Sequence, residues 1–329
     1  MSNALLLTEQ DVRAVLPMPD LIAAMEGALA QFSAGAVRQP VRSVIEVGDD
    51  RAFFGIMPAA VSHPPAVGAK LVTVFERNHL RQLPSHLATV ILLDHETGAL
   101  RAVLDGRYIT EARTGAVSAV SVKHLSRPDA SVLAIIGSGV QARSHVEAIR
   151  HVRTISEVRA WSPSAEHRDG FVAHVRDTVG LPARAADSAA AAVRGADLIV
   201  LATSSRTPVI DDADVSPGAH IVAVGACRPD QREMPTALIA RARVCVDSRA
   251  AARHEAGDLL IPLRDGAISE MHFNHELGDV IAGRVTGRDH ARQITIFKSL
   301  GLAVEDMIAA DLAVARAQSA GLGQTFSWA

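Results

Sequence analysis

The spacing of hydrophobic positions changes along the chain, and each change predicts a different kind of element. Thr8-Glu9-Gln10-Asp11 reads as a helix start, with Thr8 as N-cap and an acid three residues on. Leu21, Ala24, Met25, Ala28, Leu29 and Phe32 then recur on one face, predicting a helix from about Pro19 to Ser33 that Gly35 ends. From Pro40 the period becomes two. Strands are expected at Val41–Val47, Ala52–Met57, Val67–Phe75, His86–Leu93 and Leu100–Leu104. Turn residues separate them at Gly48-Asp49-Asp50, His63-Pro64-Pro65 and His95-Glu96-Thr97-Gly98, and such short links imply a mainly antiparallel sheet. A helix from about Tyr108 to Leu125 then leads into Arg127-Pro128-Asp129, a plausible hinge.

Beyond that hinge, strand and helix patterns alternate. Strands read at Val132–Ile136, Val158–Trp161, Asp197–Thr203, His220–Gly225 and Val244–Asp247, with helical segments between most of them. Asp187-Ser188 caps one such helix, Ala189–Arg194. The alternation predicts an α/β fold with a Rossmann-type, doubly wound parallel sheet. The last helix, about Leu302 to Ala320, ends at Gly321 and follows the final strand of this region, so a return to the first domain is expected.

The stretch that carries most chemical information is Ser131-Val132-Leu133-Ala134-Ile135-Ile136-Gly137-Ser138-Gly139-Val140-Gln141-Ala142. An apolar strand enters Gly137, and Gly137, Gly139 and Ala142 fill the G-x-G-x-x-G/A spacing. Gly137 permits the tight turn, Gly139 lets the backbone approach a pyrophosphate, and small Ala142 lets helix and strand pack closely. The helix that starts at Val140 turns free N–H groups and its positive dipole end toward the phosphates.

Composition adds limits. A chain of 329 residues with 48% hydrophobic residues can form about two domains. A net charge of −3 gives no footprint for nucleic acid. Cys227 and Cys245 lie in apolar strand-like runs and offer neither a disulfide framework nor a zinc spacing, so no metal is expected. The sequence has neither a secretory signal pattern nor an apolar run long enough to cross a membrane, and a cytoplasmic soluble protein is expected. Lysine is scarce: of 33 basic residues, only Lys70, Lys123 and Lys298 are lysines.

That scarcity draws attention to Gly68-Ala69-Lys70-Leu71-Val72-Thr73-Val74-Phe75. Period two puts Lys70 on the same face as Val72 and Val74. A charge there must meet an anion or snorkel to water at the strand end. Arg42 and Arg113, each an ordinary arginine if taken alone, would together give bidentate partners for a substrate carboxylate. At the end of the second Rossmann strand, Ala160-Trp161-Ser162-Pro163-Ser164 lacks the acid that binds a ribose 2′-hydroxyl. Ser162 and Ser164 can donate to a phosphate and Arg168 lies one turn on, so NADP(H) is favoured, with NAD(H) possible if Ser162-Pro163 is merely a turn.

The chain resembles the ornithine cyclodeaminase/mu-crystallin family over nearly its whole length. The resemblance is carried by Gln39-Pro40-Val41-Arg42, Gly68-Ala69-Lys70-Leu71-Val72, Pro84-Ser85-His86-Leu87-Ala88-Thr89-Val90, Arg113-Thr114-Gly115-Ala116 and the glycine motif. Val224-Gly225-Ala226-Cys227-Arg228-Pro229-Asp230 and Phe297-Lys298-Ser299-Leu300-Gly301-Leu302-Ala303-Val304-Glu305-Asp306 complete it. It implies a discontinuous α+β domain for substrate binding and dimerisation, residues 1–126 plus 302–329, around a dinucleotide-binding domain of residues 127–301. It also implies that Arg42, Lys70 and Arg113 hold the substrate carboxylate, with Cys227 beside the substrate. Ser85, His86, Arg113, Thr114, Gly137, Ser138, Gly139, Val140, Gln141, Ser162, Thr203, Val224 and Cys227 would lie along the dinucleotide. Members of the ketimine-reductase branch carry Asn-Arg where this chain has Ser162-Pro163, so an arginine that would grip a 2′-phosphate is missing.

Cyclodeaminases and related alanine dehydrogenases have an aspartate where this chain has Cys227, and a thiol is a poor base for water unless its thiolate is stabilised. Asp230 is the nearest acid, either a replacement or an exposed loop residue. The resemblance therefore implies a homodimeric reductase of ketimine carboxylates such as Δ1-pyrroline-2-carboxylate or Δ1-piperideine-2-carboxylate, with Lys70 or His86 as the acid. The alternatives are a cyclodeaminase-type lyase, an amino-acid dehydrogenase, and a non-enzymatic cofactor- and ligand-binding protein.

Overall fold

The computed structural model describes residues 2–48 and 52–328. The Asp49-Asp50 part of the first expected turn lies outside them. In chain order the strands are β1 (Ser2–Leu7), β2 (Val37–Arg38), β3 (Ser43–Val47), β4 (Ala52–Ser62), β5 (Pro65–Phe75), β6 (His86–Leu93) and β7 (Leu100–Asp105). They continue as β8 (Val132–Ile136), β9 (Glu157–Trp161), β10 (Ala183–Ala185), β11 (Leu198–Leu201), β12 (His220–Ala223), β13 (Arg243–Val246), β14 (Thr295–Lys298) and β15 (Gln324–Trp328).

The chain forms two compact units, the first running to Arg113 and resuming at Leu302, the second spanning Thr114–Gly301. In the first, the sheet order is β15-β1-β7-β6-β5-β4-β2, with β3 also on β4. Its pairs are antiparallel apart from β1 with β7. The helix Met18–Ser33 buries Leu21, Met25 and Leu29. The helix Ala303–Ala320 packs against it and against β4, β5 and β6, so the final helix does return to this unit. Gly68 makes that packing possible, since a Cβ there would lie 2.0 Å from the Ile91 carbonyl oxygen and 3.1 Å from Met307 Sδ. Thr8 caps its helix as expected: Asp11 N donates to Thr8 Oγ1 at 3.3 Å and Thr8 N donates to Asp11 Oδ2 at 2.9 Å.

The second unit holds the parallel sheet β10-β9-β8-β11-β12-β14-β13. Its central strands are buried on both faces, with Ile136, Ile199, Leu201, Ile221, Val246 and Ile296 in one core. The helix Gly106–Leu125 runs from the first unit into the second, so the units divide at Arg113 and not at the expected residue 126. Its second half packs within the second unit. Ser118 Oγ and His145 Nε2 share a hydrogen bond of 2.8 Å, and Ser121 Oγ and His220 Nε2 one of 3.2 Å. Burial pushes His145 down to about 4 and His220 to about 3, so both imidazoles are neutral at pH 7.

Candidate active site

In the first unit, three distant stretches converge on a buried ion cluster. Lys70 stands on β5 opposite Met57 and Val90, and is 2% exposed. It does not snorkel to water: its Nζ lies 2.7 Å from Asp306 Oδ2. Arg113, also buried, sends Nε to Asp306 Oδ1 at 3.0 Å and Nη1 to Glu305 Oε2 at 2.7 Å. Glu305 and Asp306 belong to the first turn of the helix Ala303–Ala320. The backbone there is held by Val304 N donating to Gln39 Oε1 at 2.9 Å and Leu302 N donating to Glu305 Oε2 at 3.1 Å. The Gln39–Arg42 stretch is thereby tied to the same cluster.

The electrostatics follow from burial. Desolvation lowers the Lys70 pKa to about 8, with the charges of Arg113 and Arg42 adding to it and Asp306 opposing. For Asp306, burial acts to raise the pKa, but Arg113 and Lys70 overcome it and the carboxyl is held below its usual range. His86 opens β6. Burial, followed by the fields of Lys70 and Arg113, lowers it to about 4, so at pH 7 it carries no spare proton. Ser85 just before it is exposed, its carbonyl accepting from Phe75 N at 2.8 Å. The expected residues Arg42, Lys70, His86 and Arg113 thus share one electrostatic neighbourhood. Glu305 and Asp306 complete it, although as acids in the first turn of a helix they read only as complements to its dipole.

The remaining expected residues belong to the second unit. Gly137 ends β8 with a φ of +115°, and a Cβ there would lie 2.4 Å from the Ala202 carbonyl oxygen, so the turn requires glycine. Gly139 is the N-cap of the helix Val140–Ile149 and offers no side-chain cap, and the space where its Cβ would stand is open. Ala142 is fully buried. Val140 is exposed, whereas Gln141 Oε1 is buried without a hydrogen-bond partner. Uncapped amides and an open approach over Gly139 fit a dinucleotide pyrophosphate. Ser138 Oγ donates to Ser162 Oγ at 3.0 Å, and Ser162 Oγ in turn donates to the Ser164 carbonyl at 3.1 Å. Thr114, at the unit's start, is largely buried, and its carbonyl accepts from Ser118 Oγ at 2.9 Å.

Thr203 follows β11, and Val224 and Cys227 follow β12, at the carboxyl edge of the sheet. Cys227 is half-buried, its Sγ 3.5 Å from the Val224 carbonyl oxygen. Asp230 is exposed in the following loop, where it pairs with Arg228 at 3.5 Å. Sequence reasoning missed Glu233 and Asp258, both buried with Lys298 behind this edge. The scarcity of lysine was the one signal that pointed there. Among the described residues, no helix is long and apolar enough to cross a membrane.

A parallel sheet carrying a glycine-rich turn in the second unit, with a buried lysine–carboxylate cluster in the first, α+β unit, defines an α/β protein of dinucleotide-dependent type. The chain belongs to the ornithine cyclodeaminase/mu-crystallin family, whose profile matches residues 2–321. It is 44% identical to the mouse ketimine reductase mu-crystallin over 295 residues, 89% of this chain and 90% of that protein. The structure of the Thermococcus litoralis Δ1-pyrroline-2-carboxylate reductase in complex with NADH and L-proline matches with a TM-score of 0.95. That match has 35% identity and covers 97% of this chain and 99% of that one. An archaeal alanine dehydrogenase dimer with bound NAD matches with a TM-score of 0.94 and 32% identity, covering both chains fully at 100%.

Proposed function

We propose that this protein reduces a cyclic ketimine carboxylate, such as Δ1-pyrroline-2-carboxylate, to the corresponding amino acid with NAD(P)H. The observation that carries the reading is Lys70: a buried lysine with a pKa of about 8, held against Asp306 and flanked by Arg113. Such a group keeps a proton at neutral pH yet releases it readily, as a general acid should. The reductase activities of the mouse and Thermococcus litoralis relatives support the same reaction.

In this mechanism Arg42 and Arg113 orient the substrate carboxylate by charged hydrogen bonds. Lys70 gives its proton to the imine nitrogen, which makes the neighbouring carbon more electrophilic. His86, neutral at pH 7, shapes the site without supplying the proton. Ser85, His86, Arg113, Thr114, Gly137, Ser138, Gly139, Val140, Gln141, Ser162, Thr203, Val224 and Cys227 would hold the cofactor. NAD(P)H, when bound, supplies the hydride for the carbon.

Three finer points belong to the proposal. NADP(H) is preferred, since no acid stands at Ser162 to repel a 2′-phosphate. The protein works as a homodimer built on the first unit, the state of the archaeal alanine dehydrogenase neighbour. It works in the cytoplasm, a reducing compartment that suits the free thiols of Cys227 and Cys245. The test is oxidation of NADPH and NADH by the purified protein with Δ1-pyrroline-2-carboxylate and Δ1-piperideine-2-carboxylate. Turnover with either supports the reading. No turnover on any cyclic imino acid, together with ammonia release from ornithine, would overturn it.

A further inference from the structure

Behind the carboxyl edge of the parallel sheet, one fully buried carboxylate joins the ends of two neighbouring strands. Glu233 Oε1 accepts from Thr203 N and Thr203 Oγ1, both at 2.8 Å, just past β11. Its Oε2 accepts from Gly225 N at 2.8 Å and Ala226 N at 3.3 Å, just past β12. An ionised carboxylate is an acceptor at both oxygens, which is what these four donors need. Gly225 has to be glycine for the carboxylate to sit there, because a Cβ would lie 2.1 Å from the Thr203 carbonyl oxygen and 2.4 Å from Glu233 Oε1.

Glu233 is itself held from behind. Asp258 Oδ1 accepts from Glu233 N at 2.8 Å and from Met234 N at 3.1 Å. Asp258 Oδ2 lies 3.1 Å from Lys298 Nζ, and Lys298, at the end of β14, donates to the Ala226 carbonyl at 2.5 Å. Apolar packing of the same volume is commonly as stable as buried charges, or more so. What this network adds is a fixed backbone shape at Thr203 and at residues 224–227.

That shape lies on a definable part of the sheet. The glycine turn after β8 and the position after β9 serve the pyrophosphate and the adenosine ribose. The strand ends of β11 and β12 are therefore left to the other half of the dinucleotide. We infer that Glu233 is a positioning residue that sets Thr203 and the 224–227 segment to receive the nicotinamide half, with Asp258 and Lys298 fixing Glu233 in turn. The inference rests on the dinucleotide reading proposed above.

The test uses the full-length protein and compares two ligands, NADH and ADP-ribose, which lacks the nicotinamide. Glu233→Gln keeps the size of the side chain but turns an NH₂ toward either Thr203 or the Gly225–Ala226 amides, so one strand end is released. The Kd for NADH should rise by about tenfold or more while that for ADP-ribose moves less than about twofold. Equal weakening of both ligands, or no change in either, overturns the inference. Should Glu233→Gln fail to fold, Asp258→Asn keeps an acceptor for the Glu233 and Met234 amides and gives up only the charge facing Lys298. It should show the same split at smaller amplitude, and the same two outcomes would overturn the inference. A wild-type protein that binds neither NADH nor NADPH would instead refute the dinucleotide reading.

Discussion

Lys70 Nζ lies 2.7 Å from Asp306 Oδ2, and both side chains are buried. The pair joins a β-strand to the first turn of the last long helix, and Arg113 shares the same carboxylate. Removing the carboxylate charge leaves Lys70 facing burial and two arginines, so its proton becomes harder to keep. Asp306→Asn should therefore lower imine reduction at neutral pH by roughly 10²-fold, within the range of a lost general acid. It should also cost about 3–5 kcal/mol of stability, as for a broken buried pair. Turnover and thermal unfolding check both, and undiminished turnover would separate Asp306 from the function of Lys70.

The pH profile follows from the same cluster. Lys70 is an acid only while protonated, and burial with its cationic neighbours brings its pKa down to about 8. Below that value the proton is present and kcat/KM for imine reduction should be flat in this group. Above it, kcat/KM should fall by about tenfold per pH unit. His86, lowered to about 4, should add no limb in the usual histidine range. His86→Gln should keep the alkaline limb. A profile that rises through pH 8 would refute Lys70 as the acid.

How much of this was legible in the sequence depends on how local each signal is. The glycine turn was readable because strand, turn and helix follow one another within a dozen residues or so. Lys70 was readable as a problem, since a charge on an apolar strand face needs an explanation, but its partner was not. Asp306 meets it only when the last helix returns to the first unit. β1 and β15 escaped notice because they pair with each other from opposite ends of the chain. Strand β14, the short buried run Thr295–Lys298 between β12 and β13, was likewise not anticipated. Glu233 carries no signal in the sequence, and only the approach of two strand ends gives it four donors.

Cofactor choice is tested at Ser162. Its hydroxyl is buried, accepts from Ser138 Oγ and donates to the Ser164 carbonyl, so its main contribution to a 2′-phosphate is the absence of negative charge. Ser162→Asp should shift the NADPH-to-NADH ratio of kcat/KM toward NADH by at least about tenfold, since like-charge juxtaposition costs several kcal/mol. Equal or better NADPH use in that variant would remove Ser162 from the cofactor site.

Self-association is tested at β3, which pairs with β4 and leaves Val44 53% and Ile45 59% exposed. An apolar strand at a sheet margin is expected to be covered. The wild-type protein should have a dimer mass by light scattering at micromolar concentration, and Ile45→Glu should shift it toward monomer. A monomeric wild type would refute the homodimer.

The choice between reductase and lyase turns on Cys227. A cyclodeaminase needs a base beside the amine it expels and the water it uses, while a reductase of a preformed imine needs carboxylate anchors and a proton source. Cys227 donates weakly to the Val224 carbonyl, and Asp230 is exposed and paired with Arg228, so neither supplies that base. Cys227→Ser should therefore keep imine reduction, because a small polar side chain still fits at the half-buried position. Lys70→Ala should lose turnover by about 10²–10⁴-fold through the missing acid, with the loss of anchoring adding to it. Cys227→Asp should gain at most traces of amine chemistry, since a base works only when the amine and the water are held in line with it. Measuring NADPH consumption and ammonia release side by side decides the matter. Redox-neutral ammonia release from ornithine by the wild type, with Δ1-pyrroline-2-carboxylate left untouched, would make the protein a lyase.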